Sequence, residues 1–167
     1  MLYLLDANVL ITAHNTYYPI ARIPEFWNWL RFQGESNLVK IPQEIIDEVE
    51  QDEDQLVQWF KKRENREALV FHEEADPIYV QKVLDKGYAN DLSDYEIEAV
   101  GRDPFLVSCA FANREDRCVV TLEQSKLSKQ RHNRKIPDVC HDMGVQCFDT
   151  FQMNRALDFT TNWANMV

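Results

Sequence analysis

The chain predicts an α/β protein, a three-layer α/β/α domain with a mostly parallel central sheet. Three features of the sequence point there. Short apolar runs such as Leu2–Leu5 and Cys118–Val120 show no polar alternation, as strands covered on both faces do. These runs alternate along the chain with amphipathic helical stretches, the order expected when parallel strands are joined by helical crossovers. The 167 residues suit one domain, taken as residues 1–167, with a core of useful size.

Each element follows in turn. Leu2–Asp6 reads as the first strand. Ala7 to about Thr12 reads as a helix, with Asp6 or Asn8 near its cap. Pro19 breaks the pattern. Phe26, Trp27, Trp29, Leu30 and Phe32 then form a helix with aromatics on more than one side, ended by Gly34. Core packing is the main expectation for these aromatics, and a groove for a partner the lesser one. Leu38–Ile41 is a second strand, and Pro42 opens a helix. Ile45, Ile46 and Val49 are its apolar positions, with Glu44, Asp47, Glu48, Glu50 and Asp52 filling the remainder. Gln55–Arg63 is read as one helix, Leu69–Phe71 as a strand, and Pro77–Asp85 as a helix punctuated by Gly87. Ser93-x-x-Glu96 is a capping box that opens the helix Ser93–Val100. Asp103-Pro104 starts a helix running to about Asn113. Cys118–Leu122 is a strand, Gln124–Lys135 a basic loop or short helix, and Pro137–Met143 a helix. Gly144 turns the chain into a last strand, Val145–Phe148, and Thr150–Trp163 closes it as a helix.

Composition narrows the functional classes. A net charge of −10 argues against general electrostatic affinity for nucleic acid, which depends on Lys and Arg replacing counterions. It leaves room for a local basic surface, and for a metal site where carboxylates cluster. No apolar stretch approaches the ~18–20 residues needed to span a bilayer. The start of the chain lacks the basic segment and apolar core of a signal peptide. The expectation is a cytoplasmic protein with no membrane partner. Cys109, Cys118, Cys140 and Cys147 form no Cys-x-x-Cys pair and read as buried free thiols. A zinc site from Cys140, His141 and Cys147 would match no common finger spacing. Ser125 and Ser128 lack an evident base, and the glycine-rich fingerprints of nucleotide-binding loops are absent.

Four acids stand out by position. Asp6 ends the first strand. Glu48 lies about two turns into the helix after the second strand. Asp103 begins a helix, and Glu123 follows Val119-Val120-Thr121-Leu122. Strand-to-helix junctions of a doubly wound sheet share one edge, so these side chains can converge there. Taken singly, each has a plainer role. Asp6 and Asp103 suit helix caps, Glu48 a solvated face, and Glu123 a turn.

The same residues carry a family resemblance. Leu4-Leu-Asp6-Ala-Asn8-Val-Leu-Ile11 resembles the opening motif of the PIN-domain nucleases. Ile41-Pro42, with Glu48 before Val49, is similar to their second motif. Arg102-Asp103-Pro-Phe-Leu-Val107-x-x-Ala110 is similar to the third, where an acid opens a helix of small and apolar residues. Val119-Val-Thr121-Leu-Glu123 resembles the fourth, where a strand ends in threonine and then an acid. Two positions depart from the pattern: the fourth acid is usually aspartate, and Glu44 competes with Glu48 as the second. Glu48 is preferred because an aliphatic residue follows it. The resemblance implies a metal-dependent ribonuclease that hydrolyses RNA phosphodiesters with metal-activated water. Asp6, Asp103 and Glu123 would hold Mg²⁺ or Mn²⁺, with Glu48 as a further ligand or water-orienting base. Asn8 and Thr121 would be their polar supports. The resemblance also raises the toxin of a toxin–antitoxin pair, with an antitoxin protein as partner, and a homodimer. A weak or inactive PIN-like module that binds RNA or protein is the alternative. A haloacid-dehalogenase-like phosphatase would want a second aspartate where Asn8 stands. The segment holding Lys126, Lys129, Arg131, His132, Arg134 and Lys135 contains no acid and follows Glu123 directly. It is the expected contact with an RNA backbone.

Overall fold

Leu2–Leu5 (β1), Val39–Pro42 (β2), Val70–Phe71 (β3), Arg117–Val120 (β4) and Gln146–Phe148 (β5) pair into one sheet. The computed structural model describes residues 1–50 and 54–166. Every pairing is parallel, and the strand order is β3-β2-β1-β4-β5. The middle strand fixes the register. Tyr3 stands opposite Val39 on one side and Cys118 on the other, and Leu5 stands opposite Val120. Leu4, Leu5, Val39, Ile41 and Cys118–Val120 are fully buried. That is why these runs lack polar alternation: helices cover both faces.

Among the described residues there are ten α-helices: Ala7–Thr12 (α1), Pro24–Glu35 (α2), Gln43–Val49 (α3), Gln55–Phe60 (α4), Arg63–Leu69 (α5), Pro77–Val83 (α6), Asp94–Val100 (α7), Asp103–Phe111 (α8), Ile136–Met143 (α9) and Thr150–Ala156 (α10). The chain builds β1, β2 and β3 in one direction across the sheet, then crosses back to build β4 and β5 in the other. Right-handed crossovers then put the two sets of helices on opposite faces. α2 packs with α5, and α8 packs with α9 and across β1, β2 and β4. The result is a three-layer α/β/α fold. α8 is apolar all round because it is enclosed all round: Leu106, Val107, Cys109 and Ala110 are buried between the sheet and neighbouring helices. No helix among the described residues is long and apolar enough to cross a membrane.

Several boundaries differ from the sequence reading. Gly34 does not end α2; it lies inside the helix. A Cβ there would come within 2.7 Å of the Ala68 carbonyl oxygen, so this glycine lets α2 and α5 approach closely. Asn37 ends the helix instead, in the left-handed conformation (φ 56°). Its N–H bonds Gly34 O at 3.0 Å, and Leu38 N–H bonds Gln33 O at 2.9 Å, the pair that defines a Schellman stop. The stretch Gln55–Arg63 is two helices, with a break at Lys61–Lys62. The helix expected over Thr150–Trp163 stops at Ala156. A loop with Asp158 in the left-handed region then leads to a 3₁₀ turn, Trp163–Asn165. Asp52, placed by sequence in the helix that became α3, lies outside the described residues.

The aromatics of α2 are core, which overturns the partner groove proposed for them. Phe26, Trp27, Trp29 and Leu30 are at most 1 % exposed. The chain's own tail covers them. Phe159 packs at 5.4 Å from Phe26 and 4.9 Å from Trp29, and Trp163 at 5.2 Å from Phe32. Trp163 also donates its indole N–H to Glu25 O at 3.0 Å. On the other side, Trp27 packs against Trp59 at 4.9 Å and donates to Tyr18 O at 2.6 Å.

Candidate active site

The strand order reverses between β1 and β4, so the crevice beyond their carboxyl ends is where a ligand site belongs in such a sheet. Asp6 follows β1 and Thr121 follows β4. Because the two strands pair in parallel with Leu5 opposite Val120, these polar residues arrive side by side. Thr121 Oγ1 donates to Asp6 Oδ2 at 2.7 Å. Asn8 Nδ2 donates to the same oxygen at 2.5 Å, while Asn8 Oδ1 accepts Leu122 N–H at 3.1 Å. Asn8 and Thr121 thus fix the direction of a carboxylate that is only 5 % exposed.

The other three acids come to the same crevice. Asp6, Asn8, Glu48, Asp103 and Glu123 line one cavity of about 340 Å³. Each acid comes from a different segment: the end of β1, the second turn of α3, the start of α8 and the turn after β4. The two candidates on α3 are placed differently. Glu48 lines the cavity, whereas Glu44 lies near enough to Cys109 for its charge to act on that thiol.

Asp103 is not the helix cap that its place before Pro104 indicates. Arg102 holds the cap position of α8, and Asp103 is the first helical residue. No described residue donates a hydrogen bond to its carboxylate. Burial, then the negative charges of Asp6, Glu123 and Glu48, push Asp103 up to about 8, opposed by Lys135. Burial also raises Glu48, with the Asp6 charge adding and Arg102 opposing. Asp6 is raised by burial against the Thr121 hydroxyl and the N–H of Asn8. Three carboxyls thus sit above their ordinary range because like charges share a poorly hydrated space.

Glu123 is in a different position. Lys135 Nζ meets its Oε1 at 2.5 Å, and Ile136 N–H bonds its Oε2 at 2.9 Å. The sequence reading put Lys135 with the RNA-contacting cations and missed this pairing. The basic segment is largely turned inward. Arg131 forks onto Glu96 and Asp91 at 2.7 Å each. Arg134 reaches Gly87 O at 2.7 Å and Asp142 at 2.7 Å. His132 contacts Glu96 at 3.1 Å rather than joining an open surface. Among the described residues, Lys126 and Lys129 are the members of that set without an ion pair, and both are exposed.

The donor atoms of the cavity are oxygens, with no thiol or imidazole among its lining residues. Such a set fits a hard cation. Among the described residues no three His, Cys, Asp or Glu side chains form a ready-made metal cluster. The zinc alternative fails in particular: Cys140 is fully buried, while the His141 side chain is 88 % exposed. All four cysteines are free.

Fold and site together define an α/β/α protein that carries a crowded acidic cavity at the switch point of its parallel sheet. Within that class, the chain belongs to the family described as Domain of unknown function (DUF4411), which matches residues 3–161. No curated protein matches the chain, and no solved structure does.

Proposed function

We propose that this protein is a metal-dependent nuclease that hydrolyses RNA phosphodiesters at the cavity beyond β1 and β4. One observation carries the reading: carboxylates from four distant segments line a single cavity and leave their mutual repulsion largely unanswered. Structural acids are usually paired or hydrated, and perturbed groups gathered in a cleft are the mark of a working site. The resemblance of the four segments to PIN-domain motifs adds support. Asp6, Glu48, Asp103 and Glu123 are the oxygen donors available to Mg²⁺ or Mn²⁺. Mg²⁺ keeps several waters and is commonly held through one or two carboxylates. When bound, the ion would lower the pKa of water and stabilise charge on the attacking and leaving oxygens.

The chain's own residues supply orientation and proton handling. Thr121 and Asn8 hold Asp6 still. Glu48, raised by burial, has a carboxylate better matched to accepting a proton near neutrality than an exposed one. Exposed Lys126 and Lys129 lie close in sequence to Glu123 and offer charge to a phosphate backbone. A module that binds RNA or protein without cleaving is the second reading, and the Lys135–Glu123 pair favours it, since that pair ties up one of the four acids. The separating experiment is cleavage of mixed RNA with Mn²⁺. Wild type should cut, and Asp6→Asn and Asp103→Asn should lose about a hundredfold or more in rate. Metal-dependent cutting that survives both substitutions would remove the site as its source.

A further inference from the structure

Two elements beside the acidic cavity also frame a second one. α1 lends Asn8 and Ile11 to the acidic cavity and then runs into a single π-helical turn, Ala13–Tyr17. α10 starts nearby, since its Gln152 lines a small polar cleft together with Glu123. The turn and α10 meet at Tyr17 and Phe151, whose rings stand edge to face at 5.1 Å. There a cavity of about 350 Å³ opens between Tyr18, three residues of α10 (Phe151, Asn154 and Arg155) and the loop residues Asp158 and Phe159. Its size falls in the range of small-ligand clefts, roughly 300–1,000 Å³. Its rings and polar groups are only partly used within the chain. Phe151 and Tyr17 stay 38 % and 41 % exposed. Asn154 is 7 % exposed and donates its Nδ2 to the Tyr18 hydroxyl at 3.3 Å, yet its Oδ1 has no partner among the described residues. A buried acceptor left unpaired costs stability until a donor reaches it. Arg155 is exposed and forms no ion pair among the described residues.

We propose that this second cavity is a subsite for one unpaired base of single-stranded RNA, stacked on Phe151 with its phosphate on Arg155. The three features match the three parts of a nucleotide. A flat ring suits the aromatic face, an N–H on its edge suits the Asn154 carbonyl or the Asp158 carboxylate, and the anion suits the guanidinium. Continuity favours RNA over a protein side chain, because both walls belong to elements that also reach the proposed cleavage site. The inference rests on the RNA-cleaving reading above and narrows its substrate to unpaired strands. In a duplex the faces and edge of each base are already engaged.

The probe is a short labelled single-stranded RNA, with its annealed duplex for comparison, and the full chain is used throughout. Affinity is read by fluorescence anisotropy in EDTA, and KM and kcat by Mn²⁺-dependent cutting of the same RNA. Wild type should favour the single strand. Phe151→Ala should weaken binding and raise KM about tenfold with kcat nearly unchanged, and Phe151→Trp should restore both. Arg155→Ala should weaken binding severalfold and flatten its salt dependence. Tyr95→Ala, at an exposed ring on α7, should change neither readout. Circular dichroism checks the folding of each variant, and exposed positions tolerate such changes. Equal affinity for strand and duplex, or a KM indifferent to Phe151→Ala in an enzyme that cuts, would overturn the subsite and leave the nuclease reading in place. A dimer lost in Phe151→Ala by sedimentation, with RNA affinity unmoved, would assign the surface to a second copy of the chain and overturn the subsite too. Binding that depends on Phe151 without any cutting would uphold the subsite and bring down the nuclease reading. Neither binding nor cutting in wild type would bring down both.

Discussion

Two clusters of charged side chains in this protein use the same residue types to opposite ends. In the cluster built on α7, Arg131 forks onto Glu96 and Asp91, His132 leans on Glu96, and Ser93 closes a capping box with the same carboxylate. Arg131 holds Glu96 well below the usual carboxylate range. In the cavity beyond β1 and β4, Asp103 is pushed up to about 8 by burial and by three neighbouring acids. The first cluster answers every charge and fastens the 131–133 turn to α7. The second gathers like charges and leaves most of them unanswered, which costs stability wherever they ionise together. The contrast separates acids that fasten one element to another from acids crowded together beyond the ends of the strands.

The largest test of that contrast is the pH dependence of stability. Asp103 in the native protein keeps its proton up to about 8, while the ordinary value is 3.8. Between those values the unfolded chain has released a proton that the native one still holds, so rising pH favours unfolding. Wild type free of divalent ions should therefore lose stability from pH 5 to pH 8, on the order of 3 kcal/mol from this group. Asp103→Asn should flatten the profile in urea titrations. A variant profile as steep as wild type would move the crowding elsewhere. Mn²⁺ should then raise the wild-type Tm more at pH 8 than at pH 6, because it binds ionised carboxylates of the folded state. An equal shift at both pH values would count against those acids as its site.

A smaller effect is expected at Thr121→Val. It removes the 2.7 Å hydrogen bond to buried Asp6 and should cost about 1–2 kcal/mol at neutral pH in chemical denaturation. Removal of the crowding by Asp103→Asn should reduce that cost, and a double-mutant cycle measures the coupling. The smallest effect belongs to the paired cluster. Arg131→Ala should lower the Tm less than Thr121→Val does, and added salt should erase the difference, because exposed ion pairs are screened. A large, salt-insensitive loss would show that this clamp carries more of the fold than its exposure indicates.

Much of the architecture was legible in the sequence. The unalternated run at β1 marked a strand covered on both faces of a parallel sheet, and Ser93-x-x-Glu96 located the start of α7. The meeting of Asp6, Glu48, Asp103 and Glu123 followed from where each stands, at or near a strand-to-helix junction. Other features depend on contacts between residues remote in the chain, for which local pattern offers no sign. Arg131 and Glu96 are 35 positions apart, so the basic segment looked open when it is mostly engaged. Gly34 looked like a helix stop, because nothing nearby announces that α5 lies against it. The plainer role open to Asp103, a helix cap, fell to Arg102 instead. A lysine beginning a helix twelve residues after an acid was the available signal for the Lys135–Glu123 pair, and it is weak.

The tail beyond α10 has a practical corollary. The family match ends at residue 161, two positions short of the indole that rests on Phe32 and bonds Glu25 O. A recombinant fragment trimmed to that limit would keep Phe159 but uncover part of α2. Such a fragment should self-associate and expose greasy surface to dyes such as ANS. Whoever produces this protein for assay would do well to extend the chain past Trp163.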